Sequence, residues 1–200
     1  MARMIQQQNP LPASSFKHLE AAAPEERATS VLMQRYVDGD TQAFNELYAR
    51  SAGQLLAFLI RLTRDRDRAE DLLQTTFAKV HRARDTYLEG APVLPWLYAI
   101  ARRTFYDAER SRRARHESLS RDGVLPELAA HGTSSKIELP HALDQALAAL
   151  PTGHREALLL TKFFGYSGDE AAAALGTTRA AIKVRVHRAN QQLREELAAA

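Results

Sequence analysis

Between Pro95 and Arg115 the chain carries six arginines against two acids, Asp107 and Glu109. Arg103, Tyr106, Arg110 and Arg113 fall at i, i+3, i+7 and i+10, with Arg102, Arg112 and Arg115 alongside. On a helix these positions share one face. Guanidinium groups attract phosphates and aromatic rings stack on unpaired bases, so such a stripe can grip a nucleic-acid backbone and receive exposed bases. A basic stripe alone is more often a solvated helix face. Here the excess of arginine over acid tips the reading toward a polyanion partner. A second stretch, Gly176 to Ala200, holds five Lys or Arg against two acids. Two separate basic patches fit one extended polyanion.

Helices must position these cations, and the apolar spacing provides them. Pro95 suits a first helical turn, and Leu97, Ile100, Ala101, Thr104, Phe105 and Ala108 recur at threes and fours, giving a face that seats in a core. Upstream, a helix from Asp67 to about Arg84 turns Leu72, Leu73, Thr76, Phe77 and Val80 inward and leaves Glu70, Asp71 and Gln74 on an outer edge. Asp67 with Glu70 resembles a capping box. Before it come Val31 to Val37 and a long helix from about Thr41 to Arg64, capped by Asp40 or Thr41. Phe44, Leu47, Tyr48, Leu55, Phe58, Leu59 and Leu62 mark the buried stripe of that long helix. The Asp85 to Leu94 loop, punctuated by Gly90 and Pro92, is short enough to form a pocket at low entropic cost.

Met1 to Ser30 lacks periodicity and is expected to be a flexible tail; His116 to Leu139 reads as a linker too long for a connection inside one compact domain. From Pro140 the helical pattern resumes with Ala142 to Leu150, a turn at Pro151 to Gly153, and His154 to Phe164. Ser167 then caps a helix through Glu170 and Ala171 to Leu175, Gly176 turns the chain, and a basic helix runs from about Arg179 to Leu197. A short alanine-rich helix, a glycine turn and a longer basic helix make a helix-turn-helix. With Ile182, Val186 and Ala189 inward, Arg179, Lys183, Arg185, His187 and Arg188 face outward. Arg179, Ala180, Ala181 and Lys183, nearest the helix start, should approach base edges. The expected fold is all-α, with a tail at 1–30, a helical domain at 31–115, a flexible linker at 116–139 and a second helical domain at 140–200.

Other function classes find little support. The chain has no cysteine, which removes disulfides, thiolate-bound zinc and cysteine nucleophiles. Its longest apolar run, Leu55 to Ile60, is far short of a membrane span, and the N-terminus has no apolar signal core, so a soluble cytoplasmic protein without membrane insertion is expected. No HExxH, GxSxG or glycine-rich phosphate loop occurs, and Glu70 and Asp71, adjacent on a helix, point apart. The expectation is therefore a binding protein with no catalytic residues, metal or cofactor.

The segments AEDLLQTTF, PWLYAIARR followed by FYDAER, and then REALLL, GYSGDEAAAALG and IKVRVHRA resemble the extracytoplasmic-function (ECF) group of bacterial sigma-70 RNA polymerase sigma factors. The resemblance spans about Val31 to Leu197 and implies a region 2 helical bundle followed by a region 4 helix-turn-helix. It implies that Glu70, Asp71, Leu72, Gln74 and Phe77 lie on the helix that docks on the β′ clamp helices of core polymerase. It places Trp96, Arg102, Arg103, Tyr106 and Arg110 on the helix that tracks the opened −10 strand, with the Asp85 to Leu94 loop capturing a flipped base. Arg179, Ala181, Lys183, Arg185 and Arg188 match the recognition helix for the −35 duplex, in a domain that also meets the β flap. Arg103 stands where the group often has Asn, and Arg179 to Ala181 where a Val-Gly-Thr-like turn is usual. A controlling anti-sigma factor and a stress or environmental response are implied by family habit. The alternatives are a sigma-like decoy that binds an anti-sigma factor without engaging DNA, and a helix-turn-helix regulator acting without polymerase.

Overall fold

The computed structural model describes residues 24–121 and 140–199, with side chains from 27 to 115 and 140 to 198. Most of the expected tail and residues 122–139 of the expected linker lie outside the described residues. All regular structure among the described residues is helical. The first half holds α1 (Pro24–Val37), α2 (Thr41–Thr63), α3 (Arg66–Ala83), a 3₁₀ turn (Arg84–Thr86) and α4 (Val93–Arg121). The second holds α5 (His141–Ala149), α6 (Thr152–Leu158) continuing into a π-helical turn (Leu159–Phe163), α7 (Gly168–Leu175) and α8 (Arg179–Ala199).

Several boundaries differ from those expected. α1 opens at Pro24, inside the expected tail, because a proline in the first turn costs no hydrogen bond. α4 continues to Arg121, past the expected domain end at Arg115, because no breaker intervenes before Gly123. The cap of α3 is Asp65 and not Asp67: Asp65 is extended (φ −146°) and its carboxylate accepts from the Arg68 amide at 3.1 Å. Arg64, left-handed at φ 57°, ends α2 by donating its amide to the Ile60 carbonyl at 2.7 Å, so a helix stop and a helix start occupy adjacent residues. Asp67 sits in the first turn, where its charge still suits the helix dipole. Ser167 and Glu170 form the expected capping box, with contacts of 3.2 and 2.7 Å, and Gly176 closes α7 in the left-handed region at φ 59°.

The first half packs the inward stripes of α2, α3 and α4 together. Leu47, Leu55, Phe58 and Leu59 meet Leu73, Phe77 and Val80, with Leu97, Ala101 and Phe105 closing the core. Each such side chain contributes about 1.5–3 kcal/mol on burial. Tyr48, expected inside, lies with its ring 4.6 Å from that of Phe77 but stays 41% exposed. The second half has a small core of its own in Leu147, Leu150, Leu158 and Ala189.

The two halves also pack on each other, with α7 lying along α4. Ala171 to Ala174 are all buried, and their small side chains admit α4 on one side and α8 on the other. Tyr98 of α4, 1% exposed, meets Phe58 at 5.1 Å in its own half and Phe164 and Tyr166 at 5.6 and 5.4 Å in the other. One apolar cluster therefore runs from the first half into the second.

Candidate nucleic-acid interface

On α4 the expected stripe divides. Arg103, Arg110 and Arg113 are exposed and make no ion pair among the described residues. The two acids of the stretch are neutralised from the side: Lys79 reaches Asp107 at 3.1 Å, while Arg68 and Arg112 hold Glu109 between them. Burial would raise the Glu109 carboxyl, but these two arginines outweigh it and hold the group below its ordinary value. The local potential on the outer face is therefore more positive than the residue count suggests.

Arg102 and Tyr106 are placed differently. The Arg102 guanidinium lies 4.8 Å over the Tyr106 ring and donates from Nε to the Glu156 carboxylate of α6 at 3.0 Å. Glu156 is 0% exposed; burial pushes its carboxyl up, and Arg102 pulls against that shift. The Tyr106 hydroxyl is raised by burial and by the neighbouring Glu156, again against the pull of Arg102. Trp96 is 6% exposed and packs edge-on against Tyr87 at 5.5 Å, so it supports the helix start from the core side. Its loop neighbour Tyr87 is pinned by its hydroxyl to the Ala91 carbonyl, leaving Leu88, Glu89 and Gly90 exposed at the tip.

On α3 the outer edge is as expected. Asp71 and Gln74 are exposed, and Glu70 is half-buried and paired to Arg66 at 2.8 Å. Leu72 and Phe77 are buried beneath that edge, at the floor of the surface. On α8, Ile182 and Ala189 are buried and Val186 partly so, which turns Lys183 and Arg188 fully outward, with Arg185 and Ala181 half-buried beside them. Arg179 is exposed and pairs with Asp169 of α7 at 3.2 Å. Gly168 makes room for it, since a Cβ there would come within 3.3 Å of the Arg179 Cγ.

The profile of sigma-70 region 2 matches residues 47–115, and that of sigma-70 region 4 matches residues 141–193. RNA polymerase sigma factor CarQ of Myxococcus xanthus is 41% identical over 82% of this chain and 95% of its own length. ECF RNA polymerase sigma factor SigF of Caulobacter vibrioides is 34% identical over 86% and 95%. The chain belongs to the ECF sigma factors. Among solved structures, sigma factor RpoE bound to anti-sigma factor NepR from Bartonella quintana matches with TM-score 0.68 and 33% identity, over 79% of this chain and 98% of that one. CnrH in complex with the cytosolic domain of CnrY matches at TM-score 0.66 and 28% identity, over 86% and 98%.

Within this sigma factor, the residues that sequence reasoning passed over are those of the seam between the halves. Arg155 donates to the Ala148 and Leu150 carbonyls of its own half at 2.7 and 3.0 Å, and across the seam to the Arg61 carbonyl at 3.2 Å. That carbonyl belongs to the last turn of α2, where helical acceptors lack partners. Arg61 in turn lies 5.3 Å over the Phe163 ring. A cleft of about 640 Å³ opens along the seam, with Arg68, Arg110, Arg112 and Arg113 on one side and Thr152 and Arg155 on the other. A single acid inside the apolar run REALLL was the available signal for Glu156.

Proposed function

We propose that this sigma factor docks on core RNA polymerase through the Glu70, Asp71 and Gln74 edge of α3, with Leu72 and Phe77 holding that edge from beneath. The first domain, at 31–115, then opens the −10 element along α4. Arg103, Arg110 and Arg113 track the backbone, Tyr106 and Arg102 receive the displaced strand, and Trp96 fixes the start of the helix. The second domain, at 140–200, lays α8 on the −35 duplex. Arg179, Ala181 and Lys183 lie near base edges, with the two cations among them also meeting the flanking phosphates, and Arg185 and Arg188 meet phosphates farther along. The observation that carries this reading is the pair of differently built basic helices, α4 and α8, each seated by its apolar stripe with cations outward.

The work is done by binding alone, in the cytoplasm where polymerase and promoter DNA meet; among the described residues no helix is long and apolar enough to cross a membrane. Melting costs base stacking, offset by cations on the strand and by rings against the freed bases. The solved RpoE relative is bound to the anti-sigma factor NepR, which supports a protein partner of that kind here. Run-off transcription with core polymerase on a library of promoter DNAs tests the reading. Initiation from a defined subset of templates is expected, and no initiation on any template would refute it.

A further inference from the structure

We propose that the cleft beside α4 is a binding site for a small polyphosphate, a chain of two or three phosphates either free or carried by a nucleotide. Its charge is the first observation. Arg68, Arg110, Arg112, Arg113 and Arg155 line it against a single acid, Glu109, and that acid is already held by Arg68 and Arg112. Guanidinium groups crowded in this way repel one another unless an anion lies between them. Their planar forks suit phosphate oxygens, which they can hold through paired hydrogen bonds.

Arg155 supplies the second observation. It is 9% exposed and makes no ion pair among the described residues; its terminal nitrogens meet only backbone carbonyls, and its Nε is buried without an acceptor. The Nε of Arg112, on the opposite wall, is buried and unpartnered too. Burial and the nearby Arg64 work against the charge of Arg155, with Asp144 and Glu156 pulling the other way. A buried cation that lacks an ionic partner is costly, and a phosphate is both the counter-charge and the acceptor it lacks. The size of the cleft, about 640 Å³, is that of a small-molecule site, and its two walls select a compact anion. One consequence rests on the proposed role of α4: Arg110 and Arg113 also belong to the stripe assigned to the opened strand, so ligand and strand exclude each other there.

The test is calorimetric titration of the full chain at constant ionic strength, without magnesium, DNA or polymerase. Tripolyphosphate and ATP are the probes, and sulfate is the simple anion. Saturable binding of tripolyphosphate is expected. ATP separates the two sources: tighter binding assigns a nucleotide, and equal or weaker binding assigns the free phosphate chain. Arg155→Gln should weaken binding about tenfold or more, the cost of one charged hydrogen bond. Arg194→Gln removes the same charge from an exposed position on α8 outside the cleft and should leave affinity unchanged. Should Arg155→Gln not fold, Thr152→Glu decides, because it sets an acid in the cleft at a helix start that tolerates one, and it should abolish binding. The site is overturned by no saturation below about 1 mM, by parent-like binding in the folded cleft variants, or by an equal loss in Arg194→Gln. Sulfate held as tightly as tripolyphosphate would mean an adventitious ion only, and would overturn it as well. So would binding confined to a single-stranded oligonucleotide of about 20 nucleotides, which returns the cleft to the strand's path. None of these titrations uses a promoter or polymerase, so their failure leaves the sigma reading standing, and a failed run-off assay leaves the cleft standing.

Discussion

Replacing Lys183 with Ala should change how steeply duplex binding depends on salt. Four cations lie along α8, Lys183 and Arg188 exposed and unpaired among the described residues, Arg185 half-buried and Arg179 paired to Asp169, and against a duplex each can turn to a phosphate. If all four are engaged, log K falls against log salt with a slope of about −3.6. Affinity then drops roughly 150-fold between about 50 and 200 mM salt. Without Lys183 the slope becomes about −2.7 and the drop about 40-fold. Lys183 is exposed and makes no ion pair among the described residues, so its removal leaves the fold intact and the change in slope is a direct reading of lost phosphate contact. Anisotropy of the full chain on a labelled duplex of about 20 base pairs, titrated across that salt range, measures it. Arg113→Ala on α4 is the internal comparison and should leave the duplex slope where it was, because that stripe is proposed to serve an unpaired strand. A Lys183→Ala line parallel to that of the parent, or an equal change in Arg113→Ala, would refute the assignment of α8 to duplex phosphates.

Asp71→Ala combined with Gln74→Ala should reduce capture of core polymerase several-fold in a pull-down, while the melting temperature moves by less than about 2 °C because both positions are exposed. Ser167→Ala, which removes half of the capping box at the start of α7, should cost about 1 kcal/mol, read as a lower midpoint in denaturant. Glu109→Gln should cost about 1–3 kcal/mol at neutral pH by weakening charged hydrogen bonds to Arg68 and Arg112. Because the folded carboxyl titrates below its ordinary value of 4.5, its contribution is complete above that pH and is lost as pH falls through the folded value. The gap between parent and Glu109→Gln in thermal melts should therefore close on acidification.

Local chemistry was legible in the sequence and long-range packing was not. The capping box at Ser167, the left-handed Gly176 and the inward set Ile182, Val186 and Ala189 follow from patterns spanning a few residues. At the start of α3 two aspartates compete. Asp65 prevails because Arg64 already ends α2 in the left-handed region, and the chain must turn there. The stripe on α4 was read as wholly outward because periodicity defines a face without saying what covers it. Arg102 and its partner Glu156 lie 54 residues apart, and no spacing rule joins them. The alanine-rich helix was legible as half of a helix-turn-helix with α8, but not as the element that also packs on α4. What the sequence showed as one uniform helix ends in a π-helical turn at Leu159–Phe163, with the Phe164 amide donating to the Leu159 carbonyl at 3.0 Å and the Phe164 ring 5.6 Å from that of Tyr98.

The glycine at the head of α7 has a consequence for how promoter preference diverges among sister regulators. Its missing side chain leaves space that Arg179 occupies, so a Cβ at Gly168 would displace by a few tenths of an ångström the side chain proposed to lead the reading surface, without altering any group proposed to touch DNA. Selection can thus retune such a protein from behind its reading surface, leaving the recognition helix itself unchanged.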